Sequence, residues 1–365
     1  MRIQSVDALK GLAILGILFL NIYHLAVMDM GYSPFAQPPI SDEIIEVLNL
    51  YFFEGRFVSL FSLLFGVGLM IQFQALQTKG LDVENIMQSR LNWLLVLGVL
   101  HGCFVFIGDI LVTYALCALY LCRYLADSTV QLFKRSAQYL LIGAVISIVF
   151  AFIADDTPLR YSEEFITRYQ TLHSSYLEQV LLQFVYTGLA VLMVPVLSLW
   201  CIGGIMLFGM ALYKSQFFQT GLSTRVLVML LCIMLSVSSI DAWFRSQGLL
   251  SSHLSIFSGL AGALMYAHCI IYLVNRGSAF CRVLIPVGKM SLTLYLAQSV
   301  FFALVFRVWW TDLALDYSRL DYLYWVVGFS LLQIVFANVY FIFFKQGPAE
   351  WSWRKLYAKP KVLLE

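Results

Sequence analysis

Charge is scarce in this chain. Asp, Glu, Lys and Arg make up 12% of its 365 residues, against about 25% in average soluble proteins. That is too little to clothe the two or three soluble domains that the length alone would suggest. Its 23 basic and 21 acidic residues leave a net charge of +2 with no basic block, so no nucleic-acid partner is expected. Cysteine is sparse as well. Cys103, Cys117, Cys122, Cys201, Cys232, Cys269 and Cys281 include no CxxC pair, so neither a disulfide framework nor a metal site is expected. No GxSxG, HExxH, P-loop or Rossmann fingerprint occurs. Low-complexity tracts and internal repeats are lacking too. The first apolar run follows Asp7 and Lys10 and has no small-x-small cleavage site, so it reads as an anchor and not a removable leader.

What the chain has is apolar length. Hydrophobic residues make up 61% of it, and a bilayer core is crossed by about 20 mostly apolar residues in a helix. The sequence predicts an all-α, polytopic membrane bundle with about ten spans. They are read at 8–28, 50–73, 91–107, 109–125, 137–153, 194–213, 224–241, 254–274, 287–306 and 322–344. Gly108 and Asp109 form the expected hairpin between the third and fourth. The run 177–193 is apolar enough to be an eleventh span, a re-entrant piece or an interfacial helix, with Pro195 dividing it from the next run. With both termini inside, most Lys and Arg residues fall on the inner side, as the positive-inside rule requires. The whole chain, 1–365, reads as one integral membrane domain. Residues 154–176 read as an extracytoplasmic loop and 345–365 as a cytoplasmic tail.

Ionisable groups in lipid are costly and usually face the bundle interior or water. Several cluster in the first spans. Asp7 and Lys10 stand at the inner entrance of span one. Asn21 and His24, three residues apart, share a helix face near its outer end. Glu54 and Arg56 open span two, His101 lies in span three, and Asp109 follows eight residues on, about 12 Å further along a helix. Alternating span directions puts Asn21, His24, Glu54, Arg56, His101 and Asp109 at one depth. A histidine beside a carboxylate is a usable general base. Plainer roles stay open. His24 can face headgroups, Glu54 and Arg56 can form a surface pair, and His101 can bond a carbonyl. Asp109 can cap the next helix, and Lys10 can snorkel. His268 reads as structural, and Asp241 as solvated.

Three stretches, read together, resemble a known family: SVDALKGLAILGILFLNI at 5–22; RFVSLFSLLFGVGL at 56–69 with RLNWLLVLGVLHGCFVFIGDILVTYALCAL at 90–119; and VGKMSLTLYLAQS at 287–299 with KQGPAEWSWRKLY at 345–357. The ordered set resembles the YeiB-like family of bacterial inner-membrane proteins, whose function is unknown. That family is in turn similar to the transmembrane acyltransferase superfamily. The resemblance implies transfer of an acyl group from cytosolic acyl-CoA to an extracytoplasmic sugar or other envelope acceptor. It matches Asp7 to the superfamily's opening Asp, and puts Lys10 where an Arg is common. Lys lacks the bidentate fork of Arg, which weakens a strict phosphate clamp at that position. Asn21 stands where the polysaccharide-modifying branch carries its essential His.

Under this resemblance His101 is the expected base, oriented by Asp109, with Asn21 donating to the oxyanion and His24 second in line as base. Basic groups on the inner side, Lys10 among them, would receive the CoA phosphates. Glu54 and Arg56 join the expected substrate site. Ser291, Tyr295 and Gln298 at the inner end of span nine either bond between helices or line a channel. Gly347, Pro348, Glu350, Trp351 and Arg354 read as closing the fold or lining a nucleotide entrance. A proton-coupled transporter and a non-catalytic scaffold are the competing readings. Membrane lipid, acyl-CoA and an envelope carbohydrate are the expected partners, with no metal.

Overall fold

Backbone amides inside a bilayer have no water to bond, so an apolar segment there closes its hydrogen bonds within a helix. The computed structural model describes residues 3–152, 157–249 and 255–357, and its apolar runs are helical. The helices are α1 (Gln4–Val27), α2 (Ile40–Leu48), α3 (Arg56–Thr78), α4 (Val83–Phe104), α5 (Leu111–Leu121), α6 (Thr129–Phe150), α7 (Glu163–Ser174), α8 (Tyr176–Met193) and α9 (Leu199–Lys214). After these come α10 (Phe217–Thr220), α11 (Thr224–Ser246), α12 (Ser255–Asn275), α13 (Ala279–Lys289), α14 (Ser291–Leu304), α15 (Leu313–Asp316), α16 (Arg319–Phe343) and α17 (Pro348–Tyr357). Positions 154–156 of the expected loop and 358–365 of the expected tail lie outside the described residues.

Among the described residues, eight helical stretches are long and apolar enough to cross a membrane. The chain is a multi-pass membrane protein. Two of these stretches, Ile40–Thr78 and Tyr176–Lys214, run for 39 residues each. At 1.5 Å per residue that is about 58 Å, well beyond a hydrocarbon core of roughly 30 Å. The run 177–193 is therefore a helix joined to the next, with a π-helical segment at Val194–Ser198 around Pro195. The expected fourth span is a short helix, Leu111–Leu121. The expected ninth span, 287–306, is not one helix. Met290 interrupts it at φ −123°, ψ 34° and separates amphipathic α13 from α14.

Helix α1 is the axis of the bundle. It packs on α3, α12, α13, α14 and α16, and most of its length is buried. Its crossing with α13 is close because both helices present glycine there. A Cβ on Gly288 would lie 1.8 Å from the Asp7 carbonyl oxygen, and one on Gly11 would lie 2.3 Å from that of Leu284. Small residues let membrane helices approach in this way. A second apolar cluster joins α5, α6 and α9 around Leu121, Leu132, Met206 and Met210. The α4–α5 hairpin belongs to both clusters, through Leu94 and Leu111 in the first and Leu91 and Tyr114 in the second, and Arg307 donates to the Val105 carbonyl in its turn at 2.9 Å.

Candidate active site

The C-terminal end of α4 closes on His101, whose carbonyl accepts from the amides of Val105 (2.8 Å) and Phe106 (2.9 Å). The chain turns through Gly108 and restarts as α5. Asp109 caps that start, its Oδ2 accepting from the Val112 amide at 3.0 Å. Its other oxygen accepts from His101 Nδ1 at 2.8 Å. One oxygen of Asp109 thus caps α5 and the other bonds the His101 ring. Both side chains are 3% exposed. A carboxylate only accepts, so Nδ1 carries the hydrogen and neutral His101 presents a bare Nε2. That Nε2 is buried and has no hydrogen-bond partner. Tyr295 of α14 donates its hydroxyl to Asp109 Oδ1 at 3.3 Å and sets its ring 5.2 Å from the imidazole. Helix α8 backs the site: a Cβ on Gly102 would come 2.9 Å from Thr187 Oγ1 and 3.5 Å from Asp109 Cβ.

Beside this group lies a cavity of about 160 Å³. Lys10, Arg90, Ser291 and Trp353 line it where α1, α4, α14 and α17 meet. Apolar side chains, among them Ile17, Phe65, Leu69 and Leu94, form its walls. Tyr295 and Ile110 line it too, so its wall is one side chain thick before the His101–Asp109 pair. Asn21 is not part of the lining, but it follows Ile17 by one turn on the same face of α1. His24 continues that face. It is exposed, and its Nδ1 donates to the Met28 carbonyl at 2.9 Å.

Not every expected residue converges here. Glu54 and Arg56 face a different neighbour, α11. Arg56 is fully buried. Its Nη1 donates to the Glu54 carbonyl and its Nη2 to Ser238 Oγ. Glu54 pairs with Arg245, which also reaches Asp241 at 3.4 Å. These residues are a structural network and not a surface ion pair, and Asp241, expected to be solvated, is buried within it. The reason is rotational: equal depth says nothing about which side of a helix a residue occupies. Gln298 is buried away from the cavity. It donates to the Ile14 carbonyl (3.0 Å) and to Gln333 Oε1 (2.8 Å). Ser291, Tyr295 and Lys10 do line the cavity, while Asp7 is buried at the α1–α13 crossing. His268 is structural, as expected, its Nδ1 accepting from the Leu222 amide at 3.0 Å.

Two contributors escaped the candidate set. Arg90 and Trp353 line the cavity together, the guanidinium 4.6 Å over the indole ring. Trp353 belongs to the EWSWR run already singled out, which was the available signal. In the same run, Glu350 accepts from the amides of Leu292 (2.8 Å) and Thr293 (3.2 Å) and from the Thr293 hydroxyl (2.6 Å). It thereby caps α14 from the far end of the sequence.

Residues 207–360 match DUF418, a family described as a protein of unknown function. Along 97% of its length the chain is 29% identical to the uncharacterized protein YeiB of Escherichia coli (strain K12), covering 96% of that protein. It is 23% identical to the uncharacterized protein YxaH of Bacillus subtilis (strain 168) over 97% of the chain and 93% of that protein. An uncharacterized 39.9 kDa protein in the amylase 3′ region of Bacillus acidopullulyticus is 26% identical, with the same two coverages.

Proposed function

Taking the chain as a YeiB-like, multi-pass membrane protein, we propose that it is an acyltransferase of the bacterial inner membrane. It moves an acyl group from cytosolic acyl-CoA to a sugar or other acceptor on the outer side. The observation that supports this is the buried His101–Asp109 pair with an unpartnered Nε2, one side chain from a cavity with Lys10 and Arg90 at its lining. The Lys10 end of the bundle is the cytosolic end in this reading, by the distribution of basic residues.

The acceptor hydroxyl or amine gives its proton to His101 Nε2 as its oxygen or nitrogen attacks the thioester carbonyl. The carbonyl electron pair moves onto oxygen, where the Asn21 amide donates to the developing charge. Collapse of the tetrahedral adduct breaks the carbon–sulfur bond, and the CoA thiolate takes the proton from the imidazolium. Asp109 holds the ring and supports its transient positive charge. The test uses purified full-length protein in nanodiscs with labelled acetyl-CoA and longer acyl-CoAs. His101→Asn should cut label transfer by about 10²–10⁴-fold. Equal transfer by both proteins, or none by the wild type with any acyl-CoA, rejects the reading.

A second reading, a proton-coupled transporter, draws on the π-helical segment at Val194–Ser198 and the helix break at Met290. Proton-driven flux in sealed vesicles that fails in Asp109→Asn would favour it.

A further inference from the structure

The cavity holds a positive charge that no carboxylate of the described chain neutralises. Arg90 makes no ion pair among the described residues, and its Nε is buried without a partner. What holds it is aromatic. Its guanidinium lies over Trp353, and the Trp353 indole N–H donates to the Arg90 carbonyl at 3.2 Å. Trp353 is fixed in turn because Glu350, one turn back on α17, is tied to Leu292 and Thr293 at the start of α14. A cation partly withdrawn from water is costly until an anion joins it. Its planar fork suits a phosphate oxygen pair. Beyond Arg90 the lining turns apolar, through Leu94, Phe65 and Leu69, which suits the uncharged part of the same ligand.

We propose that Arg90, positioned by Trp353, anchors a phosphate ester at the cavity, so that the ligand is a phosphate-bearing carrier and not a free carboxylic acid or simple ester. Calling that ligand the acyl donor rests on the acyltransferase reading; the phosphate site does not. A nucleotide-linked thioester and a phospholipid headgroup share this chemistry.

The experiment uses the full chain in phosphatidylcholine nanodiscs, titrated with CoA, and repeated in discs containing phosphatidylglycerol with bound lipid read by native mass spectrometry. Arg90→Gln should raise the CoA Kd about tenfold or more, and Arg90→Lys about threefold, since charge is kept but the fork is lost. Trp353→Ala should weaken CoA about fivefold, and Trp353→Phe, which keeps a ring face for the guanidinium, should restore most of it. Arg123→Gln is the charge control. Arg123 lies over Tyr120 and away from the cavity lining, and its loss should leave the Kd unchanged. Thermal unfolding midpoints show whether each variant is folded, and Arg90→Lys keeps the test open if Arg90→Gln is not.

Arg90-dependent retention of phosphatidylglycerol without CoA binding supports the anchor with lipid as its source, and removes the acyl-CoA reading. Label transfer with a KM unmoved by Arg90→Gln keeps the acyltransferase and overturns the anchor. Absence of any Arg90-dependent binding, to CoA or to phosphatidylglycerol, also overturns it.

Discussion

Glu350→Ala removes one carboxylate from outside the helix that it caps. The start of α14 has no side-chain cap of its own, because Met290 precedes it. The amides of Leu292 and Thr293 depend instead on Glu350 Oε1, and the Thr293 hydroxyl on Oε2. The link runs both ways, since the Ala349 amide donates to Thr293 Oγ1 at 3.0 Å. Loss of an N-cap costs about 0.5–2 kcal/mol. Loss of a negative charge at the positive end of a helix adds about 0.3–1 kcal/mol. Glu350 is half-buried, so water recovers part of this, and the local cost is about 2 kcal/mol. Glu350→Gln keeps an accepting oxygen and loses the charge, for about 1 kcal/mol. These figures correspond to about 30-fold and about fivefold increases in local opening. Hydrogen-exchange mass spectrometry of the full chain in nanodiscs reads the opening directly at the Leu292 and Thr293 amides. Wild-type exchange rates in Glu350→Ala, or a larger effect from Gln than from Ala, would refute the capping account.

Gly288→Ala should force α1 and α13 apart, because its Cβ would meet the Asp7 carbonyl oxygen at 1.8 Å. Overpacking of this kind costs about 1–3 kcal/mol or more. A lowered unfolding midpoint checks it against Gly328→Ala, where a Cβ meets nothing within 4 Å. His173 on α7 gives a pH test. Burial is the main force holding its pKa below the ordinary 6.5. The Tyr169 carbonyl and Asp312 favour the charged ring, and Arg307 opposes it. The unfolded segment therefore binds more protons, so docking of α7 is fully supported above about pH 6.5 and weakens as pH falls through the lower folded value. Proteolysis of 163–174 should accelerate from pH 7.5 to 5, and His173→Phe should flatten the profile. An equal slope in both proteins sinks the argument.

Much of the architecture was legible because lipid leaves few choices. A long apolar run becomes a helix, and the predicted edges of α16 at 322–344 fall within a few residues of Arg319–Phe343. The His101–Asp109 contact was only partly legible, because eight residues along one helix would put the two about 12 Å apart, whereas α4 ends at Phe104 and the chain turns back. Two short apolar runs almost touching at Gly108 make a hairpin, and a hairpin returns Asp109 to the helix end that it has just left. Rotation was not legible. The outward start of α3 carries Arg56 toward Ser238, 182 positions away, because α3 packs on α12 and α12 packs on α11. No periodicity within residues 50–73 contains that information. The cap on α14 was hidden for the same reason, since donors at 292–293 and acceptor at 350 meet only after α16 has crossed.

The energetics of the central pair bear on why its arrangement carries a functional reading. A carboxylate at 3% exposure is tolerable only when donors surround it. Asp109 has three: the Val112 amide, the His101 imidazole and the Tyr295 hydroxyl. Each arrives from a different constraint, namely the start of α5, the end of α4 and the wall of the cavity. Together they fix which imidazole nitrogen holds hydrogen. The remaining nitrogen, Nε2, stays buried and unpartnered at a cost of about 1–3 kcal/mol for an unsatisfied buried acceptor. His173 is in the same state, its Nδ1 donating to the Tyr169 carbonyl while its Nε2 is buried without a partner; what sets His101 apart is the carboxylate on its ring and the cavity one side chain away. In His101 that cost falls on a nitrogen one side chain from the cavity, where the proposed transfer needs a proton acceptor.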